Sequence, residues 1–112
     1  MKLEELTETH LLEIVRLYES HCGYERAFDV VLTQGVENVM SDIKTRGDME
    51  YRIGSRWDMH SKLRIYEDRE GNVAIDFNPN LDPSERKGRA QREAVKAGKT
   101  LRDAVRDYLS SG

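Results

Sequence analysis

The sequence predicts an α+β fold, with N-terminal helices and a long C-terminal amphipathic helix packed on one face of a three-stranded antiparallel β-meander. Two changes of spacing carry that expectation. Apolar residues recur at three- and four-residue steps through residues 1–47 and again over 82–109, which is helical spacing. Between 48 and 78 they alternate with polar residues, and the intervals are too short for crossover helices. The whole chain, 1–112, reads as a single domain.

The first helix opens at Thr7 or Thr9, either of which can cap it, with Glu8 and Glu13 in its first turns where the dipole favours acids. Leu11, Ile14, Val15, Tyr18 and Cys22 share one face, and Gly23 stands where a left-handed residue would end it. A second segment from Tyr24 places Ala27, Phe28, Val31 and Leu32 on one stripe and closes near Gly35. The third runs from Val36 through Val39, Met40 and Ile43 to Arg46, with Gly47 as its stop. Gly35 either breaks or bends the chain between them.

Met49, Tyr51 and Ile53 mark the first strand, Leu63 and Ile65 the second, and Val73, Ile75 and Phe77 the third. The second hairpin can be registered directly. A three-residue loop Arg69-Glu70-Gly71, with glycine at the left-handed third position, pairs Asp68 with Asn72, Ile65 with Ile75 and Leu63 with Phe77. Arg64 then faces Asp76, and a one-residue slip would lose both the apolar and the charged matches. Asn78-Pro79-Asn80-Leu81 reads as a turn. Asp82-Pro83-Ser84-Glu85 reads as a helix start, with an acidic cap, proline in the first turn and glutamate reaching back. Gly88 and Gly98 are points where the last helix could loosen.

Charged residues make up 35% of the chain, against about 25% in an average globular domain. A chain this long buries roughly two thirds of its unfolded surface, so a modest core beneath a charged skin is stable without staples. No apolar run approaches the roughly 18 residues that span a bilayer, and the acidic amino terminus is unlike a signal peptide. Cys22 is the single cysteine, so no internal disulfide can form. These features fit a cytoplasmic protein with no membrane partner.

Charge is unevenly placed: residues 84–109 carry net +4, although the chain as a whole carries −3. In the last helix Ala90, Ala94, Ala97, Leu101, Ala104, Val105 and Tyr108 fall within an arc of about 100°. Arg92, Lys96, Lys99, Arg102 and Arg106 fall on the opposite, basic side. That ridge can meet an acidic partner or phosphates, and it can equally be a solvated face tied into local pairs. Glu85–Arg89, Arg89–Glu93, Lys99–Asp103 and Asp103–Arg106 all stand at pairing distance, which leaves Arg92, Lys96 and Arg102 least compensated.

Trp57 follows Gly54 and Ser55 near an expected bulge, and two placements fit the sequence. By parity with Met49, Tyr51 and Ile53 it closes the core; shifted by one residue it faces outward beside Arg56 and Met59, the composition interfaces favour. The polar face of the sheet offers Arg52, Arg56, Lys62, Arg64 and Tyr66 to single-stranded RNA, but lacks the glycine-and-aromatic signature of RNA-binding sheets.

Catalytic patterns are not met. Gly98-Lys99-Thr100 has Glu93 where a phosphate-binding loop needs glycine, and it lies within a helix. His10 and His21 share a helix face about 16 Å apart, too far for one ion. His21, Cys22 and His60 have no paired metal-ligand spacing. Cys22 fits a small core residue better than a nucleophile. The carboxylates Asp48, Glu50, Glu67 and Asp68 sit among solvating charges, without the dry pocket that lifts a catalytic pKa.

The expectation is a small non-enzymatic binding protein without metal or cofactor. It would act by contact with a larger protein as inhibitor, adaptor or regulatory subunit, in the manner of a phage or mobile-element accessory factor, or with a second copy of itself. The contact residues expected are Arg89, Arg92, Lys96, Lys99, Arg102, Arg106, Arg56 and Trp57. The alternative is nucleic-acid binding through the basic face of the last helix.

Overall fold

A computed structural model describes residues 1–23, 35–81 and 88–111. After a short 3-10 turn at Leu3–Glu5, Thr7 caps helix α1, Glu8–His21. Its hydroxyl accepts the His10 amide at 3.4 Å, while its own amide donates to His10 Nδ1 at 2.9 Å. This is a capping box with an imidazole in place of the usual carboxylate or amide. Leu11, Ile14, Val15, Tyr18 and Cys22 are all buried, as their spacing requires.

Gly23 ends α1 for a different reason than expected. It is not among the glycines with positive φ; instead a Cβ there would stand 2.9 Å from the Tyr18 ring. Glycine is called for there by close approach to Tyr18 and not by a left-handed backbone. Helix α2, Val36–Arg46, starts after Gly35 (φ 87°) and ends on left-handed Gly47 (φ 68°), whose amide donates to the Ile43 carbonyl at 2.7 Å. Gly35 is thus a break on its α2 side. The helical segment expected from Tyr24 lies outside the described residues.

The three strands are β1 (Asp48–Arg52), β2 (Lys62–Glu67) and β3 (Val73–Asn78), in the order β1-β2-β3 and antiparallel throughout. The β2–β3 register matches the expected one: Leu63 faces Phe77, Ile65 faces Ile75 and Arg64 faces Asp76. Gly71 (φ 80°) supplies the left-handed loop position, and the Asp68 amide donates to the Asn72 carbonyl at 2.9 Å. Tyr51, Leu63, Ile65, Val73, Ile75 and Phe77 form the buried face, and the polar side chains of the same strands form the other.

Helix α3, Arg89–Ser110, closes the core over β3 and α1 through Ala94, Gly98, Leu101, Val105 and Leu109. It passes Gly98 without a break. There a Cβ would stand 3.1 Å from Phe77 Cδ2, so glycine lets the helix lie close to the strand. Of the two expected loosening points Gly88 is the one that interrupts: it is extended (φ −92°, ψ −171°) and α3 begins at Arg89. The helix start expected at Asp82-Pro83-Ser84-Glu85 lies outside the described residues. No described helix is long and apolar enough to cross a membrane.

Cys22 is fully buried, and burial pushes its thiol up to about 12, against a smaller opposing pull from Arg56 and Arg102. Because the folded value lies above the ordinary thiol value of 9.0, the neutral thiol supports folding below about pH 9. That contribution is lost as pH rises toward 12. Iodoacetamide at pH 8 is therefore expected to modify Cys22 only through unfolding. Rapid alkylation of the native protein would show that the thiol is accessible.

Candidate contact site

The segment between β1 and β2 builds the site. The amides of Ile53 and Gly54 both donate to the Ser61 carbonyl, at 3.2 and 3.1 Å, which is a bulge that ends the strand alternation. Gly54 takes φ 84°, and its carbonyl accepts the hydroxyl of the buried Tyr18. Beyond the bulge, the Arg56 amide donates to the Cys22 carbonyl at 3.1 Å and its guanidinium to the Ser20 carbonyl at 3.3 Å. Arg56 thereby satisfies carbonyls at the C-terminus of α1, where a cation is favoured.

Asp58 fixes the remainder. Its carboxylate accepts the His60 amide at 2.7 Å, the Ser61 hydroxyl at 2.6 Å and the Asn80 amide at 3.0 Å. Ser61 and Ser55 are buried and share a hydroxyl–hydroxyl bond of 2.9 Å.

Trp57 takes neither of the two expected placements outright. It is half-buried, with its ring 6.1 Å from that of Phe77 and the Arg56 guanidinium 5.4 Å above its centroid. Its indole N–H points at Glu93 of α3, 3.5 Å away, and Glu93 also holds Arg89 at 2.8 Å. Arg89 first, and the indole next, hold the Glu93 carboxyl below its usual value. Trp57 therefore joins the loop to the helix. The two surfaces that the sequence leaves as alternatives meet in an open cleft of about 410 Å³, walled by His21, Arg56, Trp57, Lys96, Ala97 and Thr100.

The basic side of α3 is narrower than its sequence suggests. Arg92, Lys96 and Lys99 are exposed and form no ion pair with any described residue. Arg89 is paired with Glu93, and Arg106 lies 3.2 Å from Asp103. Asp103 is engaged by Arg106, and no Lys99–Asp103 pair forms. Arg102 needs a correction: it is only half-exposed and stands 3.7 Å from Asp76 of β3. It faces the sheet rather than the open side.

Much of the polar sheet face is likewise internally paired, through Lys62 with Glu50 and Arg64 with Asp48. Arg64 takes Asp48 by two hydrogen bonds of 2.9 and 2.8 Å, not the Asp76 that faces it, and lies 4.2 Å over the Tyr66 ring. The arginine hydrogen bond holds the Asp48 carboxyl low. With that ring face covered, Tyr66 is poorly placed to stack a base. Of the histidines, His10 is spent on the α1 cap, whereas His21 and His60 line separate clefts. Among the described residues no group of three His, Cys, Asp or Glu is placed to hold a metal ion.

Fold and site together define an α+β protein in which a half-buried tryptophan borders a cationic helix. Compared with family models, with curated proteins and with solved structures, the chain matches none. Its function is therefore read from its own geometry.

Proposed function

We propose that the protein is a non-enzymatic binding module that acts by contact with a larger, acidic protein partner, as an inhibitor, adaptor or regulatory subunit. The observation that carries this reading is Trp57, half-buried under Arg56 in a cleft that Lys96 also lines, with Arg92 and Lys99 exposed about a turn to either side on α3 and forming no ion pair with any described residue. Interfaces favour tryptophan and arginine at their centres, with such anchors set in pockets and charges at the rim. The aromatic anchor would supply affinity, and the three cations would select and steer an acidic surface.

The test compares affinity capture from native lysate by the wild type, Trp57→Ala and Lys96→Glu, with nuclease present. Trp57→Ala is expected to weaken a stoichiometric complex by about 2 kcal/mol, roughly thirtyfold. Lys96→Glu, on a side chain without packing duties, should weaken it further at low salt than at high salt. A complex indifferent to both changes would refute the assignment of the surface. Arg92, Lys96 and Lys99, about 10 Å from end to end along α3, also support a second reading as phosphate contacts on nucleic acid. A complex that dissolves on nuclease treatment, with a salt slope falling by about one unit per cation removed, would favour it.

A further inference from the structure

The opposite end of the 53–61 segment borders a second concavity, one that the proposed contact leaves unused. Arg52 closes β1, Lys62 opens β2, and the register sets them directly opposite one another. Like charges facing across an antiparallel pair repel, whereas the next pair on the same face, Glu50 with Arg64, has opposite signs. Lys62 leans diagonally to Glu50, with Nζ–Oε1 at 2.9 Å, and Arg52 is left exposed without a carboxylate among the described residues. His60, also exposed, lines the same cleft, and Asn78, Pro79 and Asn80 form its far wall. The space measures about 340 Å³.

The walls are held in place before any ligand arrives. Asp58 accepts both the His60 and the Asn80 amides, which ties the approach to β2 to the turn after β3. Asp58 does not itself line the cleft. Arg52, Lys62 and His60 line one cleft; with the Lys62 ammonium held by Glu50, the Arg52 guanidinium is the cation left to receive a compact anion, and its fork matches a phosphoryl group in particular. The volume exceeds what a phosphate fills and falls at the small end of small-molecule sites. The two asparagine amides and the proline ring suit an uncharged, hydroxyl-bearing remainder.

We propose that the cleft between Arg52, His60, Lys62 and Asn80 binds the phosphate group of a small phosphorylated molecule such as a sugar phosphate. This site is independent of the Trp57 surface.

The experiment is an amide NMR titration of the full chain with inorganic phosphate and with ribose 5-phosphate, against sodium chloride at matched ionic strength. Shifts are expected at Arg52, His60 and Asn80 with both phosphates, saturating at lower concentration for the sugar phosphate. Arg52→Gln should weaken binding tenfold or more. Because it relieves the repulsion with Lys62, it should leave the melting temperature of the unliganded protein unchanged or slightly raised, so lost binding cannot be ascribed to lost folding. Trp57→Ala should leave the titration unaltered. Shifts reproduced by chloride alone, or binding indifferent to Arg52→Gln, would overturn the proposal. So would a single-stranded oligonucleotide that binds more tightly than ribose 5-phosphate and loses that affinity in Arg52→Gln, since the phosphate recognised would then belong to a polymer.

Discussion

Phe77→Ala is expected to lower folding stability by about 3–5 kcal/mol, a large share of the roughly 5–15 kcal/mol available to a domain of this size. Phe77 is 5% exposed and meets three separate elements. Tyr18 of α1 packs edge-on at 5.8 Å, Trp57 tilts against it at 6.1 Å, and α3 approaches closely enough that a Cβ at Gly98 would stand 3.1 Å from the Phe77 ring. Truncation would leave a cavity bounded by parts that cannot all collapse into it. Urea denaturation should show a lower midpoint with little change in slope, and native Trp57 fluorescence should shift to the red. A loss below about 1 kcal/mol, far under the usual range for a buried ring, would mean that Phe77 is not the common support of strand, helix and loop.

Asp58→Ala is expected to cost about 2–3 kcal/mol, since hydrogen bonds to a charged group contribute roughly 1.5–3 kcal/mol each and this carboxylate, only half-buried, accepts three. Asp58→Asn should restore only part of the loss. An amide keeps one acceptor oxygen, and its NH2 cannot receive the Asn80 N–H. Hydrogen exchange localises the effect, with the His60 and Asn80 amides becoming unprotected ahead of those in the sheet. Uniform acceleration across β2 and β3 would instead assign Asp58 to global stability rather than to the shape of the loop.

Most of the fold was legible because its signals are local. The β2–β3 register follows from one three-residue loop and a matched apolar alternation, and Gly71 in the left-handed region confirms the loop geometry. The ends of α2 were legible in its two glycines. What escaped depends on contacts distant in sequence. Helical projection puts Arg102 on the basic side, but it cannot show that Asp76 of β3 stands beside that flank. Register puts Asp76 opposite Arg64, yet a long side chain also reaches diagonal neighbours, and Asp48 offered two hydrogen bonds. Trp57 could not be placed because the bulge at Ile53 and Gly54 ends the parity used to orient it. Its partner Glu93 is 36 residues away. The role of His10 as a capping group was legible in principle, since it stands three residues after Thr7, but an imidazole is not the residue usually sought there.

The burial of the lone thiol has a practical consequence. The native protein offers maleimide chemistry a silent background, so Lys96→Cys or Asn80→Cys would each carry a fluorophore at a single address. Two such conjugates would let the two clefts be monitored separately, one for a macromolecular partner and the other for a small anion, without first having to remove a natural competitor for the dye.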